Sequence, residues 1–344
     1  MDFGRDNFVA GPIAFPLTVG IVGTGYAATA RADALRADDR VHLVAVAGHT
    51  PAKTQAFAQT YALAACDTWQ ALVNRPDIDL ILVATANHLH GAIVRAALEA
   101  GKHVVVEFPL SLDYAEAEAL IALARSRQRL LHIEHIELLG GLHQASRQFL
   151  PQVGAVFAVD YATVTPQRPV ARRWTYHRDW FGFPLMGALS RIHRLTDLLG
   201  TVATVSCQLR YWDDPTIAPS DAYYTTCLCQ AQLQFDSGIL ATVTYGKGEA
   251  LWQAARSLTI QGEHGALMFD GDAGQLVTAI GTQAITLGSR RGLFAQDMQQ
   301  VLAYLQTGTP LYVTQAASLY ALKVADAARR AAASQQVIAI AEVS

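Results

Sequence analysis

Two closely spaced glycines near the N-terminus constrain the fold more than any other feature of this sequence. The apolar run Leu17–Val22 leads into Gly23-Thr24-Gly25-Tyr26-Ala27-Ala28, and a helix-forming segment follows. In such a G-x-G-x-x-A turn the glycines allow close approach of the main chain to a pyrophosphate at the helix N-terminus. The pattern predicts a dinucleotide-binding Rossmann domain, with a turn of purely structural function as the alternative. The predicted cofactor contacts are Gly23, Thr24, Gly25, Tyr26 and Ala28.

The end of the second predicted strand indicates which dinucleotide binds. His42–Ala47 is followed by Gly48-His49-Thr50-Pro51-Ala52-Lys53, which contains no carboxylate. An NAD-specific site usually has a carboxylate there for the ribose 2′-hydroxyl. Gly48 leaves room, and His49, Thr50 and Lys53 can donate hydrogen bonds to a 2′-phosphate. We therefore predict NADPH rather than NADH, although ordinary loop residues would give the same sequence.

The pattern of elements predicts two domains. Strand and helix signals alternate up to about residue 135, which favours a parallel sheet with crossover helices. Beyond about residue 150 the segments are short, rich in β-branched and aromatic residues, and separated by turn signals. We predict an N-terminal leader over 1–16, a Rossmann domain over 17–135, and an α+β substrate domain over 136–344 with a large, mostly antiparallel sheet. Helices are expected near 185–199, 292–306 and 315–333.

Composition excludes several other classes of protein. The chain is 51% hydrophobic and 16% charged, with a net charge of −3, so nothing in it indicates a nucleic acid or a membrane as partner. The four cysteines have neither a zinc spacing nor a disulfide framework, and core packing in a reducing cytoplasm is the expectation. His132, Glu134, His135 and Glu137 resemble a metal cluster, but strand alternation would place the first two and the last two on opposite faces. We predict no metal.

The segments Ala84-Thr85-Ala86-Asn87-His88-Leu89-His90 and Glu107-Phe108-Pro109-Leu110 resemble the glucose–fructose oxidoreductase/inositol dehydrogenase (Gfo/Idh/MocA) family. The resemblance extends over nearly the whole chain and implies the same two-domain fold. It also implies a homodimer formed through the open sheet face. Residues implied at the cofactor site are Thr85, Asn87, His90 and Glu107.

Departures from the family pattern are informative about the reaction. The family has a catalytic lysine where this chain has Phe108. Aligned on Asp197, its preceding aspartate and histidine are replaced by Ser190 and Arg194. Without a general base at either place, polyol oxidation is disfavoured.

The biliverdin reductase branch of the family, in its cyanobacterial form, tolerates such losses. This chain resembles it in Arg173-Trp174-Thr175-Tyr176-His177, Tyr245-Gly246-Lys247-Gly248-Glu249 and other stretches. A tyrosine often stands in that branch at the position of Phe108. The resemblance implies reduction of biliverdin to bilirubin by NADPH, with hydride transfer to the central methine carbon.

The segment 166–194 supports a planar, anionic substrate without reference to any relative. It contains six arginines, one acid and several interleaved aromatic residues. Guanidinium groups suit carboxylates, and aromatic faces suit a flat conjugated ligand. We predict that Arg191 activates the substrate and that Arg194 pairs with Asp197. Substrate contacts are predicted for Arg173, Trp174, Arg194, Lys247 and Phe108, with Arg290 and Arg291 as further anion partners.

Other interpretations of these features stay open. A solvated basic loop would show the same run of arginines. Two other functions also stay open: another oxidoreductase of this fold acting on a different planar anionic substrate, and a regulator that binds NADP(H) without catalysis.

Overall fold

The structure is a computed structural model that describes residues 13–214, 216, 218, 221–289 and 291–340. Most of the predicted leader, and Arg290, lie outside the described residues. The chain first alternates short strands with helices up to residue 133. In chain order these elements are β1 (Leu17–Val22), α1 (Tyr26–Arg36), β2 (Val41–Ala47), α2 (Pro51–Tyr61), β3 (Ala64–Cys66), α3 (Trp69–Val73), β4 (Leu80–Val83), α4 (His90–Glu99), β5 (His103–Val106), α5 (Tyr114–Ser126) and β6 (Leu131–Ile133).

The first six strands form a parallel sheet in the order β3-β2-β1-β4-β5-β6. The strand order reverses between β1 and β4, so loops on either side diverge at the carboxyl edge of the sheet. A dinucleotide binds at such a point, with one half on each side. The predicted Rossmann domain is confirmed.

Caps define the beginning of one helix in this unit and the end of another. Asp113 accepts a hydrogen bond from the main-chain N–H of Glu116 at 2.7 Å, which caps the beginning of α5. The carboxylate of Glu116 accepts instead from Ser111 Oγ, at 2.6 Å, so the reciprocal half of the capping box is absent. Gly101 follows α4 with φ +75°, the left-handed conformation expected of a residue that ends a helix.

The second stretch is dominated by long strands. In chain order it contains α6 (Gly141–Phe149), β7 (Val156–Pro166), α7 (Arg178–Phe181), α8 (Pro184–Gly187), α9 (Ser190–Leu199), β8 (Val202–Asp213), β9 (Tyr224–Phe235), β10 (Leu240–Gly248), β11 (Ala255–Gly262), β12 (Gly265–Asp270), β13 (Ala273–Thr278) and β14 (Gly281–Thr286). The single helix expected over 185–199 is two helices, because Ala188 leaves the helical conformation with φ −116° and ψ 41°.

These strands build a nine-stranded sheet in the order β14-β13-β12-β11-β7-β10-β9-β8-β15, where β15 is Ile338–Ala339. Among the described strand pairs of this second sheet only β7–β10 is parallel, so the mostly antiparallel sheet is confirmed. Strands β13 and β14 were not expected. In β14 only Ile285 is buried, so its sequence has no apolar alternation to reveal it.

The chain closes with α10 (Leu293–Thr307) and α11 (Gln315–Ser334), as predicted within one residue. By packing, residues 13–139 and Arg291–Leu319 form one compact unit, and residues 140–289 with 320–340 form a second. Helices α1 and α10 pack on the same apolar core as β1 and β2. The boundary at residues 135 and 136 stays a prediction, but packing places α10 with the first unit. Within the described part of the chain, no helix is both long enough and apolar enough to cross a bilayer.

Candidate functional site

The glycine turn after β1 has the geometry of a phosphate cradle. Gly23 has φ +126°, and a Cβ there would stand 2.1 Å from the main-chain oxygen of Ala84. Gly25 is the N-cap of α1, which has no side-chain cap, and nothing lies within 4 Å of where its Cβ would be. The first N–H groups of α1 are therefore presented without competition from a side-chain cap. This arrangement fits a pyrophosphate. Tyr26 beside it is 82% exposed, with its ring edge-on to Phe294 at 6.0 Å.

The loop after β2 presents three exposed donors at the start of α2. His49, Thr50 and Lys53 are all exposed, and the Thr50 side chain makes no capping hydrogen bond. This end of the cradle fits a ribose 2′-phosphate. Gly48 has a different function from the one expected. A Cβ there would meet Thr54 Oγ1 at 2.6 Å and Thr24 Cγ2 at 2.8 Å, so glycine permits tight loop packing and does not leave room for a ligand.

His90 joins the two loops that follow β4 and β5. It is fully buried, with Nδ1 2.8 Å from the carbonyl oxygen of Pro109 and Nε2 3.2 Å from that of Thr85. Burial lowers the pKa of this ring, so it is neutral and donates to only one of the two. The predicted direct contact of His90 with the cofactor is therefore corrected to a structural one. Asn87 is also buried, whereas Thr85 is partly exposed.

Phe108 and Glu107 stand at the carboxyl end of β5. The ring of Phe108 is stacked on His135, with centroids 5.4 Å apart and planes at 6°. Glu107 Oε1 accepts from Arg31 Nε at 2.6 Å, and its side chain keeps 17% exposure. This pair places an apolar wall and a carboxylate side by side at the ligand edge of the sheet.

Behind Glu107 lies a buried polar network that sequence reasoning missed in part. Arg31 on α1 bridges Glu107 to Asp297 on α10, and His132 and Tyr312 also contact Asp297. The prediction that His132 and Glu134 face the same side is consistent with this network. A signal was available, because Arg31 interrupts the apolar stripe of α1 and Asp297 that of α10.

In the second unit Lys247 lies inside an aromatic cage. Its ammonium is 3.6 Å from the ring centroid of Phe181 and 4.8 Å from that of Tyr176, and it donates to the carbonyl oxygen of Thr175. Tyr224 and Tyr245 complete the cage. Burial lowers the pKa of Lys247 to about 8. The residue is only 7% exposed, so its predicted contact with a substrate anion would require the cage to open.

Helix α9 presents Arg191 and Arg194 in different environments. Arg191 is half-buried, donates to Ser190 Oγ at 2.9 Å and lies 5.6 Å from the ring centroid of Tyr245. Arg194 is buried and donates to the hydroxyl of Tyr161. Asp197 was expected to pair with Arg194; the contacts seen are with His143, at 2.9 Å, and Arg147, at 3.5 Å.

The remaining arginines of the segment have divided functions. Arg172 pairs with Asp214 and Arg178 with Asp213, while Arg168 covers the exposed ring of Trp252 at 3.8 Å. Arg173 is exposed, and Trp174 beside it is half-buried against Phe181 at 6.0 Å. Arg173 and Trp174 therefore offer an exposed cation next to an aromatic face.

The other residues considered for chemistry have structural surroundings. Cys227 and Cys229 are fully buried, as predicted for core positions. Among residues that the structure describes, no three His, Cys, Asp or Glu side chains are placed to hold a metal ion.

Comparison with known proteins agrees with both units. The model of the Gfo/Idh/MocA oxidoreductase family matches residues 17–135 as its NAD-binding Rossmann fold. The model of the family's C-terminal alpha/beta domain matches residues 151–340. A crystal structure of biliverdin reductase from Synechocystis sp. PCC 6803, in complex with biliverdin and NADP+, is 53% identical with a TM-score of 0.90. It covers 92% of this chain and 99% of that one.

Curated relatives match over shorter stretches. A dTDP-3,4-didehydro-2,6-dideoxy-alpha-D-glucose 3-reductase from Saccharopolyspora spinosa is 34% identical over 136 residues, 39% of this chain. Mouse biliverdin reductase A is 30% identical over 133 residues, again 39% of this chain. The matches span 41% and 42% of those two proteins.

Proposed function

This chain belongs to the Gfo/Idh/MocA oxidoreductase family, and we propose that within it the protein is an NADPH-dependent biliverdin reductase. The observation that carries the proposal is the likeness to the Synechocystis enzyme, which extends over both domains at 53% identity. Fold alone would not support a substrate, because one fold hosts many activities. The side chains of this chain add independent support.

The first unit offers what NADPH requires. The turn at Gly23 and Gly25 and the N-terminus of α1 receive the pyrophosphate, while His49, Thr50 and Lys53 receive the 2′-phosphate. Exposed cationic and hydroxyl donors favour the phosphorylated cofactor, because no carboxylate stands there to repel it. When bound, NADPH supplies a hydride, which in this proposal is transferred to the central methine carbon of biliverdin.

The second unit supplies the recognition of the pigment. Arg173 is free to pair with a propionate, and Trp174 offers an aromatic face to the tetrapyrrole. Arg191 compensates the negative charge that develops on the pigment as hydride adds. Arg194 and Lys247 are buried and hold α9 and the aromatic cage in position beneath these groups. In the first unit, Phe108 provides an apolar wall.

Replacement of the family lysine by Phe108 also favours this reaction. A phenyl ring neither donates nor accepts a proton, so the oxidation of an alcohol lacks its base. Reduction of a conjugated methine requires no base at that place. The same substitution removes a cation that sugar hydroxyls would otherwise contact.

The test is a spectroscopic assay with purified protein, NADPH and biliverdin. We expect the green pigment to become yellow as NADPH is oxidised in equal amount, with NADH less effective. Consumption of NADPH only with other acceptors would assign a different substrate. Tight binding of NADPH without turnover of any acceptor would assign a regulator. Either result overturns the proposal.

Two further expectations accompany the proposal. The thiols of Cys207 and Cys229 lie 3.5 Å apart without a disulfide, which suits a reducing, cytoplasmic location. The homodimer stays a prediction, and sedimentation analysis of the purified protein tests it.

A further inference from the structure

A buried cluster of ionisable side chains stands behind the carboxyl ends of β5 and β6. Three of its members, Arg31, Glu134 and Asp297, are at most 1% exposed. The cluster comprises Arg31, Glu107, His132, Glu134, Asp297 and Tyr312. Its members come from α1, β6 and α10 and from the loops that follow β5, β6 and α10, so the cluster is not the property of one helix face. Burial of so many charges is costly unless protons and partners balance them.

Asp297 is an ionised carboxylate that three hydrogen-bond donors surround. Its Oδ2 accepts from Arg31 Nη1 at 2.8 Å, and its Oδ1 accepts from His132 Nε2 at 2.7 Å and from the Tyr312 hydroxyl at 2.9 Å. Burial alone would raise the pKa of Asp297, but His132 and Arg31 hold it far below its usual range. A carboxyl that accepts three hydrogen bonds is ionised.

Glu134 is placed quite differently. Its Oε1 accepts from the main-chain N–H of Ile136 at 2.5 Å. Its Oε2 is buried and has no hydrogen-bond partner among the described residues. The carboxyl group faces that of Glu107 within hydrogen-bonding reach. Two ionised carboxylates can only accept, so this contact becomes a hydrogen bond only when one of them carries a proton.

The charges of the cluster favour that proton. The three carboxyls of the cluster surround one guanidinium, that of Arg31, which is already paired with Glu107 and Asp297. Burial, and next the carboxylate of Glu107, raise the pKa of Glu134 well above its usual value; Arg31 opposes this and Asp297 adds to it. A like-charged carboxyl pair of this kind takes up one proton.

We propose that Glu134 and Glu107 share one proton at neutral pH and that this pair is the proton reservoir for reduction at the nicotinamide edge of the sheet. The pair follows β5 and β6, which belong to the half of the sheet that receives the second mononucleotide. Glu107 is the partly exposed member, so the proton leaves and returns through it. Its function in turnover rests on the proposed reductase activity, whereas the shared proton itself does not.

The electrons and protons of this reduction balance. The hydride carries two electrons to the substrate and leaves it one proton short. The pair gives its shared proton to a pyrrole nitrogen of the pigment, and Arg31 stabilises the dicarboxylate that results. A proton from water then restores the pair. Glu134 acts through Glu107 in this scheme and is a positioning residue.

The shared proton is tested first without any substrate. Infrared spectra of the intact protein at neutral pH, in H2O and D2O, are compared among wild type, Glu134→Gln and Glu118→Gln, an exposed control on α5. We expect a protonated-carboxyl band that is absent from Glu134→Gln and retained in the control. If wild type lacks the band, or Glu134→Gln keeps it, the two carboxylates are ionised and bridged in another way, and the proposal is wrong. Thermal unfolding and NADPH titration verify that the variant is folded.

Kinetic measurements then test whether the Glu134–Glu107 pair supplies a proton during turnover. Glu134→Gln should bind NADPH like wild type but turn over about 10²-fold more slowly, the usual contribution of a positioned proton donor. Wild-type rates should fall as the pH rises and the pair loses its shared proton, and the variant should lose that alkaline limb. An unchanged rate and pH profile in Glu134→Gln would overturn the function of the pair. If wild type reduces no biliverdin, the proposed activity fails while the infrared result still decides the shared proton.

Discussion

A Cβ on Gly23 would stand 2.1 Å from the main-chain oxygen of Ala84, at the point where β1 and β4 diverge. Because φ at Gly23 is +126°, any side chain there is strained as well as in collision. We expect Gly23→Ala to lower the free energy of unfolding by at least about 1–3 kcal/mol and to abolish NADPH binding. Urea denaturation and fluorescence titration with NADPH measure the two effects.

Gly25→Ala is the matched control for that substitution. The backbone there is extended, with φ −88° and ψ −170°, and a Cβ meets nothing within 4 Å. The variant should unfold like wild type, yet bind NADPH at least about tenfold more weakly, a loss of about 1.4 kcal/mol. Equal loss of stability in both variants would show that Gly25 has only a structural function.

The donors at the start of α2 predict a change in cofactor preference. Lys53→Ala and His49→Ala each remove an exposed donor from the place assigned to the 2′-phosphate. A hydrogen bond to a charged group contributes about 1.5–3 kcal/mol, so the Kd for NADPH should rise by roughly ten- to a hundredfold for Lys53→Ala. NADH, which lacks this phosphate, is the internal control, and its Kd should not change. A parallel weakening of both cofactors would argue against this placement.

Sequence reasoning recovered the features that depend on near neighbours. The G-x-G-x-x-A turn is local, and it stands where it was expected, between β1 and α1. The contact between Arg31 and Asp297 spans 266 residues, so periodicity does not reveal it. The contact adds a buried ion pair to the apolar packing of α10 on the core of the Rossmann unit.

The same limit applied to the arginines. The pairing of Arg194 with Asp197 stays a prediction from helical spacing. The donation of Arg194 to Tyr161 of β7 and the pairing of Asp197 with His143 of α6 are contacts that spacing does not reveal. Lys247 is predicted from the sequence as a substrate contact, because spacing along the chain does not show that four aromatic rings enclose it. The sequence therefore identified candidate residues by residue type, but it did not predict which of them are buried.

Lys247 predicts a specific dependence of stability on pH. Burial lowers its pKa from 10.5 to about 8, so between these values the folded protein binds fewer protons than the unfolded chain. Stability then rises with pH across this window, by up to about 3 kcal/mol at 1.36 kcal/mol for each pKa unit. Lys247→Met lacks the titrating group and keeps an apolar chain in the cage. Urea denaturation near pH 7 and near pH 10 should show wild type gaining relative to the variant, and an equal response of the two would contradict the prediction.

Arg191 predicts the sharpest separation of catalysis from binding. Its guanidinium is half-buried between Ser190 and Tyr245, and its Nε has no partner within the described part of the chain. If it compensates the charge that develops on the pigment, Arg191→Ala should lower kcat by about 10²-fold or more while leaving the Kd for NADPH unchanged. Arg172→Ala is the control from the same segment, because Arg172 is exposed and paired with Asp214. Near-normal turnover in Arg191→Ala would remove Arg191 from the reaction. An equal loss in both variants would instead indicate that the arginine-rich segment acts through its overall charge.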